Sequence, residues 1–150
     1  MKNSGSLQIR SIEPRDTDAV NLLIRQLGYE RTLEGARSWI DRVAARGTEQ
    51  AAFVACMDEE VCGWVEVSIE QRLQTTPFAL IGGLVVKEGV RGMGVGRRLC
   101  EQAETWTRQR GLDTLRLTSR STREAAHQFY LRAGYRQVKT SLAFEKKLPE

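Results

Sequence analysis

The chain has 150 residues, 41% of them hydrophobic and 28% charged, with a formal net charge of +4 at neutral pH. A chain of this length buries a core without disulfide or metal staples, and its balanced composition excludes a disordered or fibrous protein. No run approaches the roughly 18 consecutive apolar residues of a membrane helix, so a membrane span is not expected.

Three cysteines, Cys56, Cys62 and Cys100, form no CxxC pair and no disulfide framework, which suits reduced thiols in the cytoplasm. The single histidine, His127, rules out a His-rich metal site, and no zinc spacing is present, so no metal is expected. No continuous apolar core follows the first six residues, so no secretory signal is read there. Without repeats, linkers or low-complexity tracts, residues 1–150 read as a single domain.

In chain order, residues 7–12 alternate apolar and polar side chains, as a strand does. Pro14 with Asp16 or Thr17 opens a helix carrying Val20, Leu23, Ile24 and Leu27, and Gly28 ends it. Thr32 caps a second helix with Ala36, Trp39, Ile40 and Val43 in line, and Gly47 closes it. Residues 51–57 and 61–72 read as strands joined by the polar turn Asp58-Glu59-Glu60. Residues 78–86 are almost wholly apolar, the pattern of a strand buried on both faces.

A Gly-rich loop follows, and then a helix with Val95, Leu99, Ala103 and Trp106 in line, ended by Gly111. Residues 114–118 form a short strand, 123–133 a helix closed by Gly134, and 135–148 a last, bent strand. The order β-α-α-β-β-β-α-β-α-β predicts an α/β fold, a mixed sheet with helices on both faces.

The chemistry concentrates where the buried strand meets the glycines. Gly92, Gly94 and Gly96 let a ligand approach backbone N–H groups at a helix start, where the helix dipole favours an anion. Arg91, Arg97 and Arg98 add positive charge, and Met93 and Val95 complete the segment, so it reads as a pyrophosphate cradle. A Walker loop would require Gly-Lys-Ser/Thr, which is missing. A dinucleotide fingerprint would require a third glycine at Leu99 or Arg97, and an acidic residue about 20 positions on. Neither is met.

The stretch Arg91-Gly92-Met93-Gly94-Val95-Gly96, with Leu84 and Val86 ahead of it, resembles the acetyl-CoA loop of the GCN5-related N-acetyltransferase (GNAT) family. Ala125-Ala126-His127-Gln128-Phe129-Tyr130, followed by Gly134-Tyr135, is similar to the family's fourth-helix signature. Glu88 stands where many members have proline, and Arg123 where an asparagine is usual. The resemblance implies transfer of an acetyl group from acetyl-CoA to a primary amine of a small molecule or protein, by direct attack in a ternary complex.

It implies that the parallel strands 78–86 and 114–118 splay. Backbone groups of Leu84, Val85 and Val86 would then pair with the pantetheine arm, with a bulge or bend near Gly82-Gly83. It further implies cofactor contacts from Arg91 to Arg97 and from Arg123, and a proton supplied to the leaving sulfur by Tyr130. His127 reads as a surface helix residue. Glu66, Ser68 and Glu70 share one face of the strand expected beside the reacting one, and Glu66 is the candidate base. Residues 28–32 and 73–76, with Tyr29, Glu30 and Trp64, are expected to shape the acceptor site.

Two competing readings stand beside this one: a non-catalytic acyl-CoA sensor of the same fold, and a basic nucleic-acid-binding module. The second needs clustered cations with exposed aromatics, and the Arg91, Arg97 and Arg98 cluster is better used on one cofactor's phosphates, so nucleic acid is not the expected partner. A monomer or homodimer is expected.

Overall fold

A computed structural model describes residues 6–46, 49–90 and 92–149. They form two compact units, divided between Thr118 and Ser119. The first contains β1 (Leu7–Ser11), a 3-10 turn (Pro14–Asp16), α1 (Thr17–Leu27), α2 (Leu33–Arg46), β2 (Gln50–Met57), β3 (Glu60–Glu70), β4 (Phe78–Val86), α3 (Val95–Gln109) and β5 (Leu115–Leu117). Its five strands lie in sequence order; β1 to β4 are antiparallel and β5 runs parallel to β4.

Local chemistry sets the boundaries. Asp16 precedes α1 and is buried, 4% exposed. Its carboxylate accepts two hydrogen bonds of 2.8 Å from the Arg10 guanidinium and one of 2.8 Å from Glu13 N–H. Burial works against the Asp16 charge, but the Arg10 and Glu13 bonds and the Arg10 charge outweigh it and hold the carboxyl below the usual range. α1 stops at Gly28, whose left-handed backbone returns its N–H to Arg25 O. The Thr32 hydroxyl accepts the Gly35 N–H at 3.0 Å and caps α2, as the sequence predicts.

The sheet is covered on both faces. On one, Val20 and Leu23 of α1 and Ile40 of α2 pack with Val54, Trp64 and Val85. On the other, Val95, Leu99 and Trp106 of α3 pack with Phe53, Val65 and Ile81. Gly63 lets α3 approach: a Cβ there would stand 2.8 Å from Val85 O and 3.1 Å from a Leu99 methyl. That contact brings the start of α3 beside the end of β4.

β4 is interrupted. Ile81 pairs with Val67 and Gly83 with Glu66, which leaves Gly82 as one extra residue, a β-bulge where one was expected. The extra residue reverses the alternation, so Ala79 and Ile81, then Leu84 and Val86, all lie with the α3-side cluster. The parallel ladder to β5 spans only Ala79–Leu115 to Ile81–Leu117.

The second unit holds α4 (Glu124–Arg132), followed by Gly134 in a left-handed conformation, φ 97°. Against the expected last strand over 135–148, the described residues 136–149 form no strand. A strand exists by pairing, and within its own unit this segment has only a helix beside it in sequence, which offers no ladder edge.

Candidate active site

Lys87 N–H donates to Cys62 O on β3 at 2.8 Å. Backbone groups alternate sides along a strand, so Val85 faces β3 as well, while Leu84 and Val86 face away. The Val85 carbonyl lies close against Gly63 of β3, in keeping with this. The expectation that Val85 offers backbone groups to a ligand is therefore corrected: they belong to the β3 ladder. Leu84 and Val86 lie beyond the last β4–β5 pair, and no described strand of the first unit pairs with their free side. The short β5 and the bulge at Gly82 together open this edge.

The chain leaves β4 through a turn closed by Val90 N–H on Lys87 O at 3.3 Å. Gly89 has φ 93°, which only glycine adopts easily at the third position of a type II turn. Arg91, singled out in the sequence, lies outside the described residues. Gly92 and Gly94 are exposed with φ 84° and 82°, and a Cβ on either would meet no atom within 4 Å. Met93 between them is half exposed.

α3 starts at Val95, and its first described bond is from Arg98 N–H to Gly94 O, 3.1 Å. The N–H groups of Val95, Gly96 and Arg97 precede it and have no acceptor within the helix. No acidic residue occupies this first turn and no side chain caps it, so its positive end is uncompensated. Val95 is fully buried by side chain and has only its N–H to offer. Arg97 is exposed, 4.0 Å from Glu101. An open backbone edge followed by an uncapped, glycine-lined helix start fits an extended amide-bearing chain ending in phosphates.

Glu66 stands on the opposite face of the sheet. Its carboxyl borders the bulge: a Cβ on Gly82 would be 3.5 Å from Glu66 Cδ, and one on Gly83 3.1 Å from Glu66 Oε1. Burial pushes the Glu66 pKa above its ordinary value, with the Arg31 charge opposing. Glu70, on the same strand, accepts from Ser68 Oγ at 3.2 Å and lies 3.5 Å from Arg72, so it is already engaged. Among the described residues Glu66 has no hydroxyl or ion-pair contact of this kind, so its carboxyl is left available beside the bulge. Trp64 lies over Gly83 so closely that a Cβ there would come within 2.5 Å of its Cη2.

Arg123 and Tyr130 belong to the second unit. Arg123 is exposed and precedes α4, and His127 N–H donates to its carbonyl at 3.1 Å. The Tyr130 ring packs edge-on against Phe129 at 5.3 Å and Tyr135 at 6.1 Å. His127 Nε2 lies 2.8 Å from Arg120 O, an exposed local contact of the kind expected for a surface helix residue. Sequence reasoning did not link Arg31 of segment 28–32 to the Glu66 charge, nor Gln26 to the end of β4, because both contacts cross sequence gaps that periodicity does not report.

These features define an acyl-CoA-dependent acyltransferase fold. The sequence matches the Acetyltransferase (GNAT) family model over residues 17–135. It is 31% identical over 138 residues to an aminoalkylphosphonate N-acetyltransferase of Salmonella typhimurium, covering 87% of this chain and 85% of the relative. It is 30% identical over 105 residues to an aminoglycoside N(6')-acetyltransferase type 1 of Stenotrophomonas maltophilia, covering 67% and 69%. The aminoglycoside N-acetyltransferase AAC(6')-Iy, solved in complex with CoA, superposes with a TM-score of 0.84 at 16% identity, covering 95% of this chain and 96% of that one. AAC(6')-Ih of Acinetobacter baumannii does so at 0.81 and 18%, covering 96% and 100%. The chain belongs to the GNAT acetyltransferase family and is, as such, an acetyl-CoA-dependent N-acetyltransferase.

Proposed function

We propose that the acceptor is a small molecule with a primary amine, acetylated by direct attack within a ternary complex. The observation that carries this reading is the Leu84–Val86 edge, which no described strand pairs, beginning at a bulge bordered by the half-buried Glu66. Two relatives named for acetylating aminoalkylphosphonates and aminoglycosides support a small amine over a protein one.

Acetyl-CoA supplies the acyl group as a thioester, the electrophile of the reaction. The Leu84 backbone groups hold the pantetheine amides as an added half-strand, since Val86 O already accepts from Gln26. Gly92 to Arg97, with Arg91 and Arg123, take the phosphates. Glu66 accepts the proton of the amine, directly or through water. Val86 N–H donates to the carbonyl oxygen as negative charge grows on it. Tyr130 donates a proton to the departing sulfur. Units one and two are read as parts of one catalytic domain, because the family match runs across both. The enzyme works in the cytoplasm, as its three free buried cysteines suggest, as a monomer or homodimer and without a metal.

The test is amine-dependent thiol release from acetyl-CoA. Glu66→Gln is expected to lower kcat/KM by about 10²-fold, the usual scale of general-base assistance. An unchanged rate and pH profile would remove Glu66 from the reaction.

A further inference from the structure

The Gln26 side chain of α1 bridges two points of the β4 exit. Its Nε2 donates to Val86 O at 2.8 Å and its Oε1 accepts the Glu88 N–H at 3.0 Å. The amide orientation is forced, since a carbonyl only accepts and a backbone N–H only donates. Between them, Lys87 N–H is fixed to Cys62 O. Three successive backbone groups are thus held, just where the free edge ends and the path to Gly92 and Gly94 begins.

Glu88 sits at the second position of the Lys87–Val90 turn, with Gly89 at φ 93° third. That second position requires φ near −60° and leaves its own N–H outside the turn's hydrogen bond. Proline suits it for both reasons: its ring fixes φ, and it has no N–H to satisfy. Glu88 does neither by itself. Gln26 supplies the restraint from outside, binding the otherwise unused N–H and tying the turn to the last carbonyl of β4.

We propose that Gln26 is a positioning residue for acetyl-CoA, holding the β4 edge and the glycine-rich segment in the one relation that lets a single molecule engage both. This rests on the acetyl-CoA site proposed above. Val86 O, taken by Gln26, is then not a pantetheine acceptor; the free groups are Val86 N–H and those of Leu84. A preorganised site lowers the ordering cost of binding, so loosening it weakens affinity without removing a ligand contact.

The test is titration of the purified full chain with CoA, alongside thermal unfolding without it, for wild type, Gln26→Leu, Glu88→Pro and the double variant. Gln26→Leu is expected to raise the CoA Kd about tenfold. Adding Glu88→Pro to Gln26→Leu is expected to restore the Kd to within about threefold, because proline fixes the turn covalently. If Gln26→Leu does not fold, Gln26→Glu serves instead, since it keeps the acceptor for Glu88 N–H and turns an oxygen on Val86 O. A lowered unfolding midpoint with unchanged Kd would make Gln26 merely structural and overturn the proposal. So would a Kd that Glu88→Pro fails to restore. Wild type that binds no CoA would instead overturn the cofactor site itself, and this proposal with it.

Discussion

Glu66 is held where its charged form is disfavoured. A carboxyl whose folded pKa lies above its unfolded one contributes stability at low pH and loses it as pH rises through the folded value. Above its folded pKa the charged form of Glu66 is therefore a net cost to the fold. Glu66→Gln is expected to unfold at a higher temperature than wild type at pH 7, with the difference shrinking toward pH 4, while thiol release falls. Asp16 has the opposite sign: its lowered pKa contributes stability above the unfolded value, lost as pH falls through the folded one. Asp16→Asn strands the partly exposed Arg10 and is expected to cost about 2 kcal/mol at pH 7, less than a fully buried pair would, as read by urea unfolding. Glu66 was legible as one of three polar residues on a strand face. What separates it from Glu70 was not, because the Ser68 and Arg72 contacts of Glu70 depend on side-chain placement.

At the scale of elements, the cradle depends on backbone conformation more than on side chains. Gly92→Ala or Gly94→Ala meets no steric neighbour, so its cost is the left-handed backbone alone, about 1 kcal/mol. Gly111→Ala, at the far end of α3 with φ 76° and equally open, carries the same strain. All three are expected to lower stability alike, yet only the first two should weaken CoA binding in a titration. Equal weakening by all three would mean that the loss is global.

The order of the first nine elements was readable from periodicity and from glycines at the helix ends. Two features were less so. The bulge was anticipated from a Gly-Gly pair, but its effect, returning Leu84 and Val86 to the α3 face, depends on which of the two is the extra residue. The last strand was expected over 135–148, and a local stretch of sequence does not state whether a partner edge exists for it.

For the whole molecule, the family match spans Thr17 to Tyr135 and so takes in α1, the glycine segment and α4 together. Glu66 lies in the first unit and Tyr130 in the second. Tyr130→Phe is expected to lower kcat about 10²-fold while leaving the CoA Kd within about twofold, as a lost proton donor does. The chemistry of transfer was legible in the glycine and Phe-Tyr motifs; the acceptor was not, because the segments expected to shape its site, 28–32 and 73–76, carry no fixed spacing.

The most direct measurement is thiol release from acetyl-CoA by the purified protein, with an aminoalkylphosphonate, an aminoglycoside and a protein substrate as acceptors, alongside CoA titration. The account predicts CoA binding and release that depends on one of the small amines. Tight CoA binding with no release on any amine would contradict it and leave an acyl-CoA sensor on the same fold.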